Sequence, residues 1–185
     1  MLPDLSQRGE LAPTFVRRSY VMEDFEFRDD GPTGFTFEGI ASKVDHPYEV
    51  RDQFGTFTET IQRGAFDVSL RSDANVALFV NHGWQWGQVP LAARAANTLS
   101  LMADPNLRVR AHLDPERPDV QIVRSAVKRG ELPQMSVGFN AVKARDKWSA
   151  DWSSVVRTQV ALQEVSIVDK GANPQTETSI RNLDE

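Results

Sequence analysis

Hydrophobic and small or polar positions alternate between Met135 and Asn140, where Met135, Val137 and Phe139 interleave with Ser136, Gly138 and Asn140. A period of two puts the two sets on opposite faces of a strand, one built to pack and one left open. Short extended runs recur along the chain. Phe15 to Phe27 mixes β-formers with charges, and Gly34 to Ala41 alternates just after the turn residues Gly31-Pro32; together they predict an opening antiparallel pair. Thr56 to Ile61 reads as extended, and Gly64 to Leu70 as a short helical turn with Phe66 and Leu70 on one face. Asn75 to Asn81 is almost continuously apolar and stops at His82-Gly83, the pattern of a buried strand that delivers a side chain at its tip. Val89 to Ala95, Leu99 to Ala103 and Leu107 to Leu113 are three more strand candidates, whose spacing suits a meander or small barrel.

The clearest helix has Asp119 near its start and Val120, Val123 and Val127 along one face, and it closes on Lys128-Arg129-Gly130. Basic residues in the last turn and a glycine just beyond suit the helix dipole and a left-handed cap. This helix hands the chain directly to Ser136. Ala141 to Ser154 is polar, carries Trp148 and Trp152, and is expected as a loop or lid, while Val155 to Val168 predicts one long final strand. The pattern as a whole is mainly β with helices, an α+β chain. It is expected as one domain over residues 15–174, between a flexible arm over 1–14 and a polar tail over 175–185.

Composition narrows the chemistry. A domain within 185 residues is long enough to bury about two thirds of its unfolded surface without a staple. With no cysteine, disulfides and thiolate chemistry drop out, which fits a reducing interior. A net charge of -5, from 21 basic and 26 acidic residues, supplies no broad basic footprint, so a protein partner is expected rather than nucleic acid. No run approaches the roughly 18 apolar residues of a membrane span, and a soluble cytoplasmic chain is expected. Neither His-Glu-x-x-His nor any close histidine pair occurs, so no metal and no cofactor are expected.

Ser136 is the candidate nucleophile. Gly138, two places on, has no Cβ to stand beside the hydroxyl, so an extended peptide would meet no steric gate there and Gly138 is expected in the substrate groove. The ordinary alternative is a serine on the wet face of a strand. A serine needs a base, and His82 is the best placed of three histidines. Imidazole as a class titrates near pH ~6.5 and so can accept a proton at neutral pH; a loop-capping histidine is the alternative. His46 precedes a proline in a polar loop and reads as surface, and His112 as structural. Trp84 and Trp86 would line the groove and shed water from it, or else belong to the core. Strand parity places Val160, Leu162, Glu164, Ser166 and Val168 on one face, so Glu164 is an acid among apolar neighbours and needs a partner. That partner is either an imidazole that becomes cationic during reaction or an arginine, and Asp169 is the reserve candidate for orienting the base. The nucleophile elbow Gly-x-Ser-x-Gly is absent, since Gln134 stands where its first glycine belongs.

The series Gly64-Ala65-Phe66, Asn81-His82-Gly83, Met135-Ser136-Val137-Gly138-Phe139 and Leu162-Gln163-Glu164-Val165-Ser166-Ile167-Val168, with Ala172-Asn173-Pro174, resembles the tailed-bacteriophage prohead maturation proteases, relatives of the herpesvirus assemblins. The resemblance runs in order from about Phe35 to Pro174. It implies an assemblin-like closed β-barrel surrounded by a few helices, a serine endopeptidase with Ser136 as nucleophile and His82 as base, and backbone oxyanion donors near Gly171 and Ala172. In the assemblins the third member is a second histidine beyond the serine. No histidine follows His112 here, and Glu164 stands in the corresponding place. The resemblance also implies substrates: the scaffold protein or the scaffold-like segment of the major capsid protein, cut in the host cytoplasm inside the assembling prohead, with self-cleavage. A homodimer follows only by analogy. The alternative is a non-catalytic β-barrel module for capsid assembly or interaction.

Overall fold

Alternating apolar positions become strands throughout the chain. The computed structural model describes residues 8–11, 15–21, 24–52, 54–83 and 88–169. Among these, the order is α1 (Arg8–Leu11), β1 (Phe15–Val21), β2 (Phe25–Asp29), β3 (Phe35–Ser42), β4 (Tyr48–Asp52), β5 (Gly55–Ile61), α2 (Asp67–Arg71), β6 (Ala77–Val80), β7 (Ala92–Ala93), β8 (Leu99–Ala103), β9 (Leu107–Leu113), α3 (Pro118–Lys128), β10 (Gln134–Ala141), β11 (Asp146–Trp148), β12 (Ser154–Arg157) and β13 (Val160–Val168). In β9 the expected period is complete, with Leu107, Val109, Ala111 and Leu113 buried and Arg108, Arg110 and His112 exposed.

The strands form three sheets, in the orders β1-β10-β13-β6-β7, β11-β12-β5-β4 and β2-β3-β9-β8. Each sheet ends in edge strands, so among the described residues the closed barrel expected from the resemblance does not form. Two local causes are visible. Val89 to Ala95 shrinks to the two-residue β7, after which Arg94–Ala96 turns away, so that edge is too short to carry a ladder around a ring. The expected strand from Val155 to Val168 breaks at Thr158-Gln159: β12 pairs in parallel with β5, while β13 lies between β10 and β6 in another sheet. The opening antiparallel pair is also divided, because β2 pairs with β3 whereas β1 crosses to β10.

A shared core lies between these layers. Phe37, Tyr48, Phe66, Leu78, Phe139 and Ile167 are all completely buried, and each large apolar side chain removed from water contributes about 1.5–3 kcal/mol. Helix α3 caps the core with Val120, Val123, Ala126 and Val127. Pro118 and Asp119 suit its first turn, where a missing N–H costs nothing and a carboxylate meets the positive end of the dipole. It ends in a Schellman arrangement: Gly130, at φ 72°, donates to the carbonyl of Val127 and Glu131 donates to that of Ala126. Leu132, also buried, then leads straight into β10.

The stretch expected as a lid, Ala141 to Ser154, is built into the second sheet instead. Its β11 pairs with β12, and Trp148 packs 5.3 Å from the ring of Phe57 and 5.4 Å from that of Trp152. The described turn of the N-terminal arm, α1, rests on this aromatic pair: a Cβ at Gly9 would lie 2.8 Å from Trp152, and Lys143 Nζ donates to the Glu10 carbonyl at 2.6 Å.

A buried ionic cluster ties the first sheet to the second. Glu59 of β5 accepts from Arg18 of β1 at 2.5 and 3.1 Å, from Arg157 of β12 at 2.7 Å and from the Tyr48 hydroxyl of β4 at 2.5 Å. Arg157 also pairs with Asp146 of β11. Burial alone would raise the Glu59 pKa, but the guanidiniums of Arg18 and Arg157 outweigh it and hold this carboxyl well below the usual carboxylate range. For Asp146 the balance is reversed, and burial pushes its pKa up despite Arg157.

Candidate active site

Strand β10 alternates as read from its sequence, but the face expected to stay open is buried at Ser136 and Gly138. Met135, Val137 and Phe139 turn into the core, and directly opposite residues on neighbouring strands share the other face. Two rows cross the sheet there. Ser19, Ser136 and Ser166 lie opposite one another on β1, β10 and β13, and Arg17, Gly138 and Glu164 form the next row.

Glu164 joins this polar face through a bulge. The register shifts between Gly138 and Phe139, which oppose Glu164 and Leu162 respectively, leaving Gln163 exposed and outside the pairing. Leu162 therefore faces the core while Glu164 faces the serines. Uniform parity placed both on one apolar face, and the extra residue corrects that reading. Without the bulge the carboxylate would sit where the core has no partner for it.

His82 arrives from the far side of the sheet. Strand β6 ends at Val80, and Asn81, His82 and Gly83 follow with φ of 46°, 63° and 63°, three successive left-handed residues. A non-glycine residue in this region costs roughly 1–2 kcal/mol. Asn81 recovers part of that by accepting the Asp169 N–H at 3.2 Å through its side-chain oxygen. The turn carries the His82 ring back over β13, where Nδ1 meets Glu164 Oε1 at 2.6 Å. The other carboxylate oxygen accepts from the Ser166 hydroxyl at 2.5 Å, and Arg17 Nε stands 3.7 Å from Oε1. The His82 and Glu164 side chains are only 4% and 11% exposed. An ionised carboxylate can only accept, so it keeps the proton of a neutral imidazole on Nδ1 and leaves the lone pair on Nε2. Nε2 is buried and has no hydrogen-bond partner.

Ser136 is completely buried, and its hydroxyl donates to the Arg18 carbonyl at 3.1 Å rather than to His82. The structure thus joins the expected base to its expected orienting acid, and sets the expected nucleophile on the adjoining strand with its proton turned the other way. The space over Gly138 is already filled, contrary to the expectation of an open approach for peptide: a Cβ there would lie 2.4 Å from Glu164 Oε1. The glycine makes room for the carboxylate. Asp169 is exposed at the end of β13 and touches the His82 turn through its backbone, whereas Glu164 reaches the ring itself.

His112 is exposed on β9 in the third sheet, and His46 is half-buried in the loop before β4. Among the described residues no three potential metal-ligating side chains converge. Trp84, Trp86, Gly171 and Ala172 lie outside the described residues, as do most of the arm and the whole tail. Sequence reasoning missed Ser19, Arg17 and the Arg18 carbonyl. All three belong to β1, whose pairing with β10 has no local signal in a stretch of mixed β-formers and charges.

Residues 23–185 match the sequence profile of the caudovirus prohead serine proteases. The chain belongs to this family. Among solved structures, it is similar to the bacteriophage T4 capsid assembly protease, gp21, with a TM-score of 0.53 at 12% identity, over 85% of this chain and 98% of that one. At that identity the likeness speaks for the fold. No curated protein sequence matches the chain. No helix among the described residues is long and apolar enough to cross a membrane.

Proposed function

We propose that this prohead protease is a serine endopeptidase in which Ser136 attacks the peptide carbonyl, His82 is the general base and Glu164 orients the base. The observation that carries the reading is the 2.6 Å contact between His82 Nδ1 and Glu164, on the strand next to Ser136. Its substrates are the scaffold protein or the scaffold-like segment of the major capsid protein, cut in the host cytoplasm inside the assembling prohead, with self-cleavage at high local concentration.

In the resting arrangement the Ser136 proton is held by a neutral hydrogen bond worth about 0.5–1.5 kcal/mol net. Turning the hydroxyl between staggered rotamers toward Nε2 costs little on that scale, and such bonds commonly tighten only when substrate is bound. His82 then takes the proton as Ser136 Oγ bonds to the carbonyl carbon, and the Glu164 carboxylate stabilises the resulting imidazolium. Collapse expels the amine, which takes a proton from His82. Water repeats the sequence to free the acid. Backbone amides near Gly171 and Ala172 are assigned to the oxyanion from the family resemblance.

Co-expression with candidate scaffold and capsid proteins, read by gel and mass spectrometry, tests the assignment. Ser136→Ala and His82→Ala are expected to abolish processing with the fold retained, and Glu164→Gln to leave part of it. Processing by Ser136→Ala at the native rate sinks this nucleophile. Full turnover by Glu164→Gln passes the third role to Asp169 or to water.

A further inference from the structure

Ser19 is 5% exposed, and its hydroxyl is buried with no hydrogen-bond partner. Native folds rarely leave such a group unused, because a buried unsatisfied donor carries its full desolvation penalty. Ser19 lies directly across from Ser136 on β1, on the side of β10 away from β13, Glu164 and His82. We infer that the Ser19 hydroxyl is a side-chain oxyanion donor for acyl transfer at Ser136, a role that rests on Ser136 being the nucleophile.

The geometry favours this role. As the Ser136 Oγ–C bond forms and its proton passes to His82 Nε2, the carbonyl π electrons move onto oxygen, which must find donors on the side away from the imidazole. Directly opposed side chains on one face have Cβ atoms about 4.5–5.5 Å apart. That brings a freely rotating hydroxyl within range of an oxygen one bond beyond the attacked carbon, where donors act at about 2.7–3.1 Å. The Ser19 O–H donates to this oxygen and transfers no proton. Its strand is already anchored, since the neighbouring Arg18 is locked by Glu59 through its side chain while its carbonyl receives Ser136. With the strand held before the reaction, only the hydroxyl has to turn toward the developing charge.

The test is the saturation kinetics of a fluorophosphonate with the full chain, since its phosphoryl oxygen occupies the oxyanion position in the adduct. Ser19→Ala is expected to slow the maximal labelling rate about 10- to 100-fold, with the half-saturating concentration unchanged. Its melting temperature should hold or rise, because an unpaired buried hydroxyl has been removed. Ser19→Thr keeps the donor and should retain most of the rate. Labelling of Ser19→Ala within twofold of the unaltered chain overturns the inference and leaves the nucleophile standing. So does a slowed rate accompanied by a lower melting temperature in both variants, which marks a packing role. If the unaltered chain is not labelled at Ser136, the nucleophile assignment fails and the Ser19 inference falls with it.

Discussion

Replacing Gly138 with alanine places a methyl carbon 2.4 Å from Glu164 Oε1 and 2.9 Å from both Cδ and Cγ of the same side chain. No Cβ tolerates those distances, so the Glu164 carboxylate must move. It cannot do so and keep both the His82 contact at 2.6 Å and the Ser166 contact at 2.5 Å. A hydrogen bond to a charged group contributes about 1.5–3 kcal/mol net. Losing the one to His82 removes that much orientation of the base, equivalent to about a 10- to 150-fold fall in kcat/KM at a factor of ten per ~1.4 kcal/mol. Stability should fall by a similar amount, which a domain holding roughly 5–15 kcal/mol survives. The assay is processing of a scaffold substrate alongside urea unfolding of the same preparation. The reasoning is refuted if Gly138→Ala works within threefold of the native rate, or if its structure keeps His82 on Glu164.

Two further perturbations reach the site from outside. Glu59→Gln removes the carboxylate that the buried Arg18 and Arg157 share, and it should cost about 3–5 kcal/mol, a fall in urea midpoint of about 1–3 M; a shift under about 0.5 M counts against the cluster as a clamp. Because the folded Glu59 pKa lies below the ordinary glutamate value of 4.5, its contribution is present above that pH and is lost as pH falls toward the folded value. Asp146, with a raised pKa, acts in the opposite sense and offsets part of the loss. Removing Glu59 should therefore flatten the decline in stability below about pH 4.5, and an unchanged slope there contradicts the assignment. In the His82 turn, Gly83→Ala meets the Phe79 ring at 3.0 Å with φ at +63°, so strain of about 1–2 kcal/mol should loosen the turn. Processing should then fall more than thermal stability does; equal processing would show that the turn does not position the base.

Much of this molecule is legible in local pattern. The period of two in Leu107 to Leu113 and Met135 to Asn140, and the valine stripe with its glycine cap in α3, fix element type because each side chain's face follows from backbone geometry alone. Ser136, His82 and Glu164 stood out in the same way as candidates, a serine and a histidine on or at the end of apolar runs and an acid among apolar neighbours. What local pattern could not contain is pairing. A bulge at Gln163 decides that Glu164 and Leu162 face opposite ways, and it exists only because β13 lies against β10. The break between β12 and β13, the three open sheets and the serine row from Ser19 to Ser166 likewise depend on which distant strand supplies each backbone partner. The sequence by itself determined the type of most elements and offered the candidate reactive groups. Tertiary structure alone decided their company, because a hydrogen-bond ladder is closed by atoms far away along the chain and carries no mark in the residues beside it.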